Sequence, residues 1–90
     1  MIQYEIDISG RVQGVGYRYF ALKKAQEQGV TGWTKNMVDG SVKIIAQGDE
    51  PTLKTYVDYL RLGPTLSRVD KISIYKSEIT EVFDTFSVKY

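Results

Sequence analysis

The stretch GRVQGVGYR, residues 10–18, carries Gly10, Gly14 and Gly16 and two arginines, Arg11 and Arg18, directly after a segment that alternates apolar and polar residues. Glycine opens backbone conformations closed to other residues and removes the Cβ that keeps a ligand off the main chain. Such a loop is suited to holding something against its amides. On its N-terminal side, Ile2, Tyr4, Ile6 and Ile8 alternate with Gln3, Glu5, Asp7 and Ser9, the period of a half-buried strand over Ile2–Ser9. On its C-terminal side, YRYFALKKAQEQ is rich in helix formers and is followed by Gly29, which predicts a helix from about Tyr17 to Gln28. The loop therefore opens onto a helix N-terminus, where backbone amides lack intrahelical partners and the helix dipole favours an anion. Arg18, in the first turn, can reach back with a planar fork suited to phosphate.

A plainer reading has the glycines serve only a tight turn and Arg18 pair with a surface carboxylate. Two phosphate motifs are excluded: the Walker loop ends in Gly-Lys-Ser/Thr, and the dinucleotide fingerprint needs a third glycine that is missing here.

Further along, VTGWTKNMVDGSVKIIAQG has β-branched and aromatic residues on both sides of Asp39-Gly40, which predicts two antiparallel strands joined by a tight hairpin. DEPTLKTYVDYLRLGP places Pro51 in a first helical turn, spaces Leu53, Tyr56, Val57 and Leu60 as on a helix face, and stops at Gly63-Pro64. SRVDKISIYK and FDTFSVKY add two strand-like runs, the second with Phe86, Val88 and Tyr90 on one face. The order βαββαβ, with a short extra strand, predicts an α+β, ferredoxin-like α/β sandwich of the split βαβ kind. It should have a mainly antiparallel sheet of four to five strands and two helices on one face. The expectation is a single domain over residues 1–90.

Twelve basic and eleven acidic residues give a formal charge of +1, so no broad basic surface is available for non-specific nucleic-acid binding. No apolar run approaches the roughly 20 residues that span a bilayer, and MIQYEIDIS lacks the regions of a signal peptide, so a soluble cytoplasmic protein is expected. Cysteine and histidine are both absent, which removes thiol nucleophiles, imidazole bases, disulfides and the ordinary zinc ligands.

GRVQGVGYR followed by GWTKNMVDGSV resembles the acylphosphatase family, whose pattern is a Gly-x-Val-Gln-Gly-Val-Gly-Phe-Arg loop and a later Gly-Trp-Val-x-Asn strand. The second helix with its GP, then RVDKI, and the closing aromatic strand also fall where that family has them. The resemblance implies an enzyme that hydrolyses the carboxyl–phosphate bond of acyl phosphates. It implies that the loop Gln13, Gly14, Val15, Gly16, Tyr17 and Arg18 holds the phosphoryl group, with Arg18 binding substrate and Asn36 positioning the attacking water. It also implies inorganic phosphate as product and inhibitor. No cofactor or metal, no nucleic acid or membrane partner, and a monomer are expected. Three positions depart from the pattern: Tyr17 for phenylalanine, Thr34-Lys35 for Val-Arg, and AQG at Ala46–Gly48 for Val-Glu-Gly or Ala-Glu-Gly.

The chemistry closes without histidine, cysteine or metal. The departing carboxylate is stable near neutral pH and needs no general acid, and phosphoryl transfer depends chiefly on positioning and electrostatic stabilisation. Asn36 can accept from and donate to a water without acting as a strong base. Read alone, Asn36 is a polar residue at a hairpin end, Trp33 and Gly32 pack a strand edge, and Arg11 is a solvated charge that could add to the anion field. Two other functions compete. An RNA-recognition module shares the element order, but its aromatic sheet motif is missing and YRYF falls on the predicted helix. A non-catalytic phosphate- or anion-binding regulatory domain would keep the cradle without needing Asn36.

Overall fold

In a computed structural model describing residues 1–90, the chain runs β1 (Ile2–Arg11), α1 (Tyr17–Gln28), β2 (Thr31–Asn36), β3 (Val42–Gly48), α2 (Glu50–Leu62), β4 (Arg68–Ser77) and β5 (Phe86–Lys89). The five strands form one sheet in the order β4-β1-β3-β2-β5, antiparallel except for the β2–β5 pair. Both helices and the expected ferredoxin-like topology are present, and α1 has the predicted bounds. Neither helix is long and apolar enough to cross a membrane.

The alternation in β1 sorts its faces. Tyr4, Ile6 and Ile8 are buried beneath the helices and lie opposite Ala46, Ile44 and Val42 of β3. The predicted face of α2, Leu53, Tyr56, Val57 and Leu60, joins this core. The α1 helix contributes Tyr17, Ala21 and Ala25, and the two alanines leave little side chain between helix and sheet.

Two tyrosines tie the helices to each other. Tyr17 on α1 donates its hydroxyl to the Leu60 carbonyl of α2 (2.6 Å), and Tyr56 on α2 donates to the Ala21 carbonyl of α1 (2.9 Å). The hydroxyl that Tyr17 adds to the family pattern thus satisfies a carbonyl in the last turn of α2, where no intrahelical amide remains to reach it. Burial raises the pKa of both phenols above the ordinary value of 10.0.

The sheet face away from the helices is not uniformly solvated, as the alternation alone would have it. Gln3 and Gln47 are buried there under the connection between β4 and β5. Gln47 donates to Gln3 Oε1 (2.7 Å) and to the Glu81 carbonyl (2.6 Å), and accepts from the Phe83 amide (3.1 Å). A neutral amide suits that position, since it supplies donors and an acceptor together.

The hairpin loop is longer than the tight two-residue turn that Asp39-Gly40 suggests. It spans residues 37–41, with the Met37 amide donating to the Ser41 carbonyl (2.8 Å). Asp39 Oδ1 accepts from the amide and hydroxyl of Ser41 (3.0 and 2.6 Å), and these bonds hold the carboxyl below its usual range. Gly40 alone takes a positive φ, so the turn that requires two such residues cannot form.

Candidate functional site

The glycines of the opening stretch do different work. Gly10 sits at a β-bulge where β1 shifts register against β4, and a Cβ there would collide with the Arg68 carbonyl. Gly14 and Gly16 take the left-handed conformation (φ 73° and 77°) with open space where their side chains would be. They turn the chain from β1 into α1 and leave the concave side of the loop uncovered.

Gly16 is the N-cap residue just before α1, and its carbonyl accepts the first helical bond, from the Phe20 amide (3.0 Å). The amides of Tyr17, Arg18 and Tyr19 therefore have no intrahelical acceptor. No side chain caps this end. Partial positive charge and free donors are left facing the loop.

A cleft of about 520 Å3 opens at this point between α1 and β5. Gly14, Gly16, Arg18 and Asn36 all line it, so the loop after β1, the helix α1 and the strand β2 each deliver an expected residue to one place. The Arg18 guanidinium lies 4.7 Å from the ring centre of Tyr90 and donates to the Lys89 carbonyl (3.2 Å). Asn36 ends β2 on the helix-facing side, and its Oδ1 is buried without a hydrogen-bond partner in the protein. Two residues earlier on the same face, the Thr34 hydroxyl is buried in the same condition. A buried acceptor of this kind calls for an occupant of the cleft to satisfy it.

The other expected residues contribute differently. Gln13 spans from the loop to the hairpin, where its Nε2 donates to the carbonyls of Met37 and Ser41, each at 2.8 Å. Both amide hydrogens are thereby committed, so what Gln13 can offer a ligand is its backbone. Val15 packs against the core, and the Tyr17 side chain is buried between the helices. Arg11 is exposed at the end of β1 opposite Arg68, whose guanidinium is bound by Asp70 (2.9 and 3.2 Å), and it does not line the cleft.

Sequence reasoning did not single out the rest of the lining. Tyr19, Leu22 and Gln26 follow one another at helical spacing along the flank of α1, and Val88 and Tyr90 face them from the β5 side. The i, i+3, i+7 stripe is visible in the sequence, but only the packing of β5 shows which side of α1 it borders.

A second concavity, of about 530 Å3, lies on the open face of the sheet near Asp7, Lys43 and Lys71. Its Lys43 ammonium is already bound by Glu5 (2.8 Å) and Asp7 (3.3 Å), which raise the affinity of that lysine for its proton. It has no helix terminus and no unpaired buried acceptor to match the first cleft.

The acylphosphatase family model matches residues 4–88. Acylphosphatase from Bacillus subtilis (strain 168) is 42% identical over 90 residues, covering 100% of this chain and 99% of that protein. Acylphosphatase from Archaeoglobus fulgidus is 44% identical over 90 residues, with 100% of both chains covered. The crystal structure of acylphosphatase from Bacillus subtilis superposes with a TM-score of 0.96 at 42% identity, again over 100% of both chains. Sequence, fold and the loop that opens onto α1 agree: the chain belongs to the acylphosphatase family.

Proposed function

We propose that this chain hydrolyses acyl phosphates to a carboxylate and inorganic phosphate, at the cleft between the N-terminus of α1 and β5. The observation that carries the proposal is the meeting of an uncapped helix N-terminus, a guanidinium and an unpartnered buried amide oxygen in one cleft. The loop amides from Gln13 to Arg18 and the Arg18 fork hold the phosphoryl oxygens and stabilise the charge they carry in the transition state. Asn36 Oδ1 accepts a hydrogen bond from a water and holds it in line behind phosphorus. The water oxygen bonds to phosphorus as the bond from phosphorus to the acyl oxygen breaks. The electron pair leaves on the carboxylate, and both hydrogens of the water finish on dihydrogen phosphate.

The carboxylate leaves unprotonated, so no acid is required, and the reaction is proposed to proceed without metal or cofactor. Residues 1–90 are proposed to act as one unit and as a monomer in the cytoplasm, with a small acyl phosphate as ligand and neither nucleic acid nor membrane as partner. Inorganic phosphate, sharing the cradle, should inhibit competitively.

The test is hydrolysis of acetyl phosphate in excess chelator by the wild type and by Asn36→Ala. Turnover should persist in chelator. The variant should lose kcat by much more than KM rises while keeping its phosphate inhibition constant, because its contact is with water alone. Turnover that returns only with added divalent metal would overturn the metal-free reading. A variant that lost phosphate binding and kept kcat would overturn the role of Asn36.

A further inference from the structure

Resting on the proposed reaction, we infer that the site takes acyl phosphates with an extended apolar acyl group, read by Tyr19, Leu22 and Val88 along the flank of α1. The phosphoryl end uses only the mouth of the cleft at Gly14, Gly16, Arg18 and Asn36. The whole cleft measures about 520 Å3, against roughly 30 Å3 for one water molecule. It lies within the size range of sites that enclose whole small molecules.

Its direction follows from the helix. Arg18 and Gln26 both line it and are eight residues apart on α1, which at 1.5 Å per residue gives a trough about 12 Å long. Between those ends the wall is mostly apolar, with Ser87 as its polar member on β5. Leu22 and Val88 are half-buried, and Tyr19, which also lines the cleft, is 67% exposed. Gln26 at the far end is the polar residue that an extended group would reach last. An acetyl group ends beside Arg18 and leaves this wall in water, so apolar contact with a longer chain is the differential interaction the trough can supply.

The experiment compares hexanoyl phosphate with acetyl phosphate. Lengthening an alkyl chain leaves the basicity of the departing carboxylate almost unchanged, so the ratio of kcat/KM values reads the trough and not the leaving group. The wild type should favour hexanoyl phosphate by at least tenfold, a modest demand when a single methylene in an enclosed pocket is worth about that much. Tyr19→Ala and Leu22→Ser should each reduce the ratio at least threefold. Tyr19 is exposed, so its variant remains informative if loss of the half-buried Leu22 impairs folding. In parallel, calorimetry with hexylphosphonate and methylphosphonate reads the same preference without turnover.

Preference for the hexyl group in both assays, reduced in the variants, is the expected result. Hydrolysis of acetyl phosphate with a hexanoyl ratio near one and equal phosphonate affinities would overturn the trough and leave the reaction standing. Tighter binding of hexylphosphonate with no hydrolysis of either substrate would overturn the reaction and support the trough.

Discussion

Gln13 offers the sharpest test of how this site is assembled, because its side chain joins the loop at the N-terminus of α1 to the hairpin that follows Asn36. Gln13→Ala deletes two part-buried hydrogen bonds of 2.8 Å, to Met37 and Ser41, and fills neither place. At about 1 kcal/mol net for each bond, the loss is about 2 kcal/mol of stability. A domain of this size loses roughly 4–8 °C of midpoint per kcal/mol, so thermal unfolding should move down by about 10 °C. The effect on activity should be larger than residual folding explains. With the tie gone, the amides that hold phosphate and the amide that holds water are no longer fixed to one another, and a displacement of about 1 Å costs roughly a hundredfold. We therefore expect kcat/KM for acetyl phosphate to fall by about that factor well below the melting temperature. Gln13→Glu has nearly the same volume but turns a carboxylate toward two carbonyl oxygens beside an anion site, and should be more impaired than alanine in both midpoint and KM. An alanine variant with lowered midpoint and full kcat/KM would refute the reasoning, since the bonds would then hold the hairpin without positioning the site.

Arg18→Lys should lose about as much activity as Arg18→Ala, at least a hundredfold in kcat/KM for acetyl phosphate, corresponding to about 3 kcal/mol for one donor to transition-state charge. Lysine keeps the charge without the planar fork, so near-normal turnover in the lysine variant would refute the need for the fork, and near-normal turnover in the alanine variant would return Arg18 to a surface role. Thermal midpoints of both should stay close to wild type, since its contacts with the Lys89 carbonyl and the Tyr90 ring are exposed. Tyr17→Phe leaves the Leu60 carbonyl without its donor and should cost about 1–2 kcal/mol of stability with little change in turnover. Burial raises the pKa of Tyr17 and of Tyr56 in the folded protein, so their stabilisation is present below about pH 10 and is lost above it, as the unfolded chain releases protons that the folded chain retains. Denaturant titrations across that range should show wild-type stability falling with pH, and less steeply in Tyr17→Phe.

Local pattern carried most of the fold. The apolar spacing of Leu53, Tyr56, Val57 and Leu60 identified the buried face of α2, and the formers between Tyr17 and Gly29 bounded α1. Sheet order could not be read in the same way, because pairings such as Gln3 with Ser77 join residues far apart in the chain. The burial of Gln3 follows from that distance too: its polar face is covered by the β4–β5 connection, which no alternation in β1 reports. In the site, the loop and Asn36 were legible as motifs. The commitment of the Gln13 amide to the hairpin was not, nor was the stacking of Arg18 against Tyr90, since each joins two segments far apart in the chain.

The reciprocal bonds of Tyr17 and Tyr56 bear on how the anion cradle stays in place. Tyr17 and Ala21 lie about one turn apart on α1, as do Tyr56 and Leu60 on α2, each pair separated by about 6 Å of helical rise, so the two bonds cross the helix interface as a pair of pins. A single pin would let α1 swivel about it. Two pins set a turn apart remove that freedom, and because they run in opposite directions, any slide of α1 along its axis strains both. The free amides at the start of α1 are thus aimed by a brace anchored in α2, a helix that contributes no residue to the cleft.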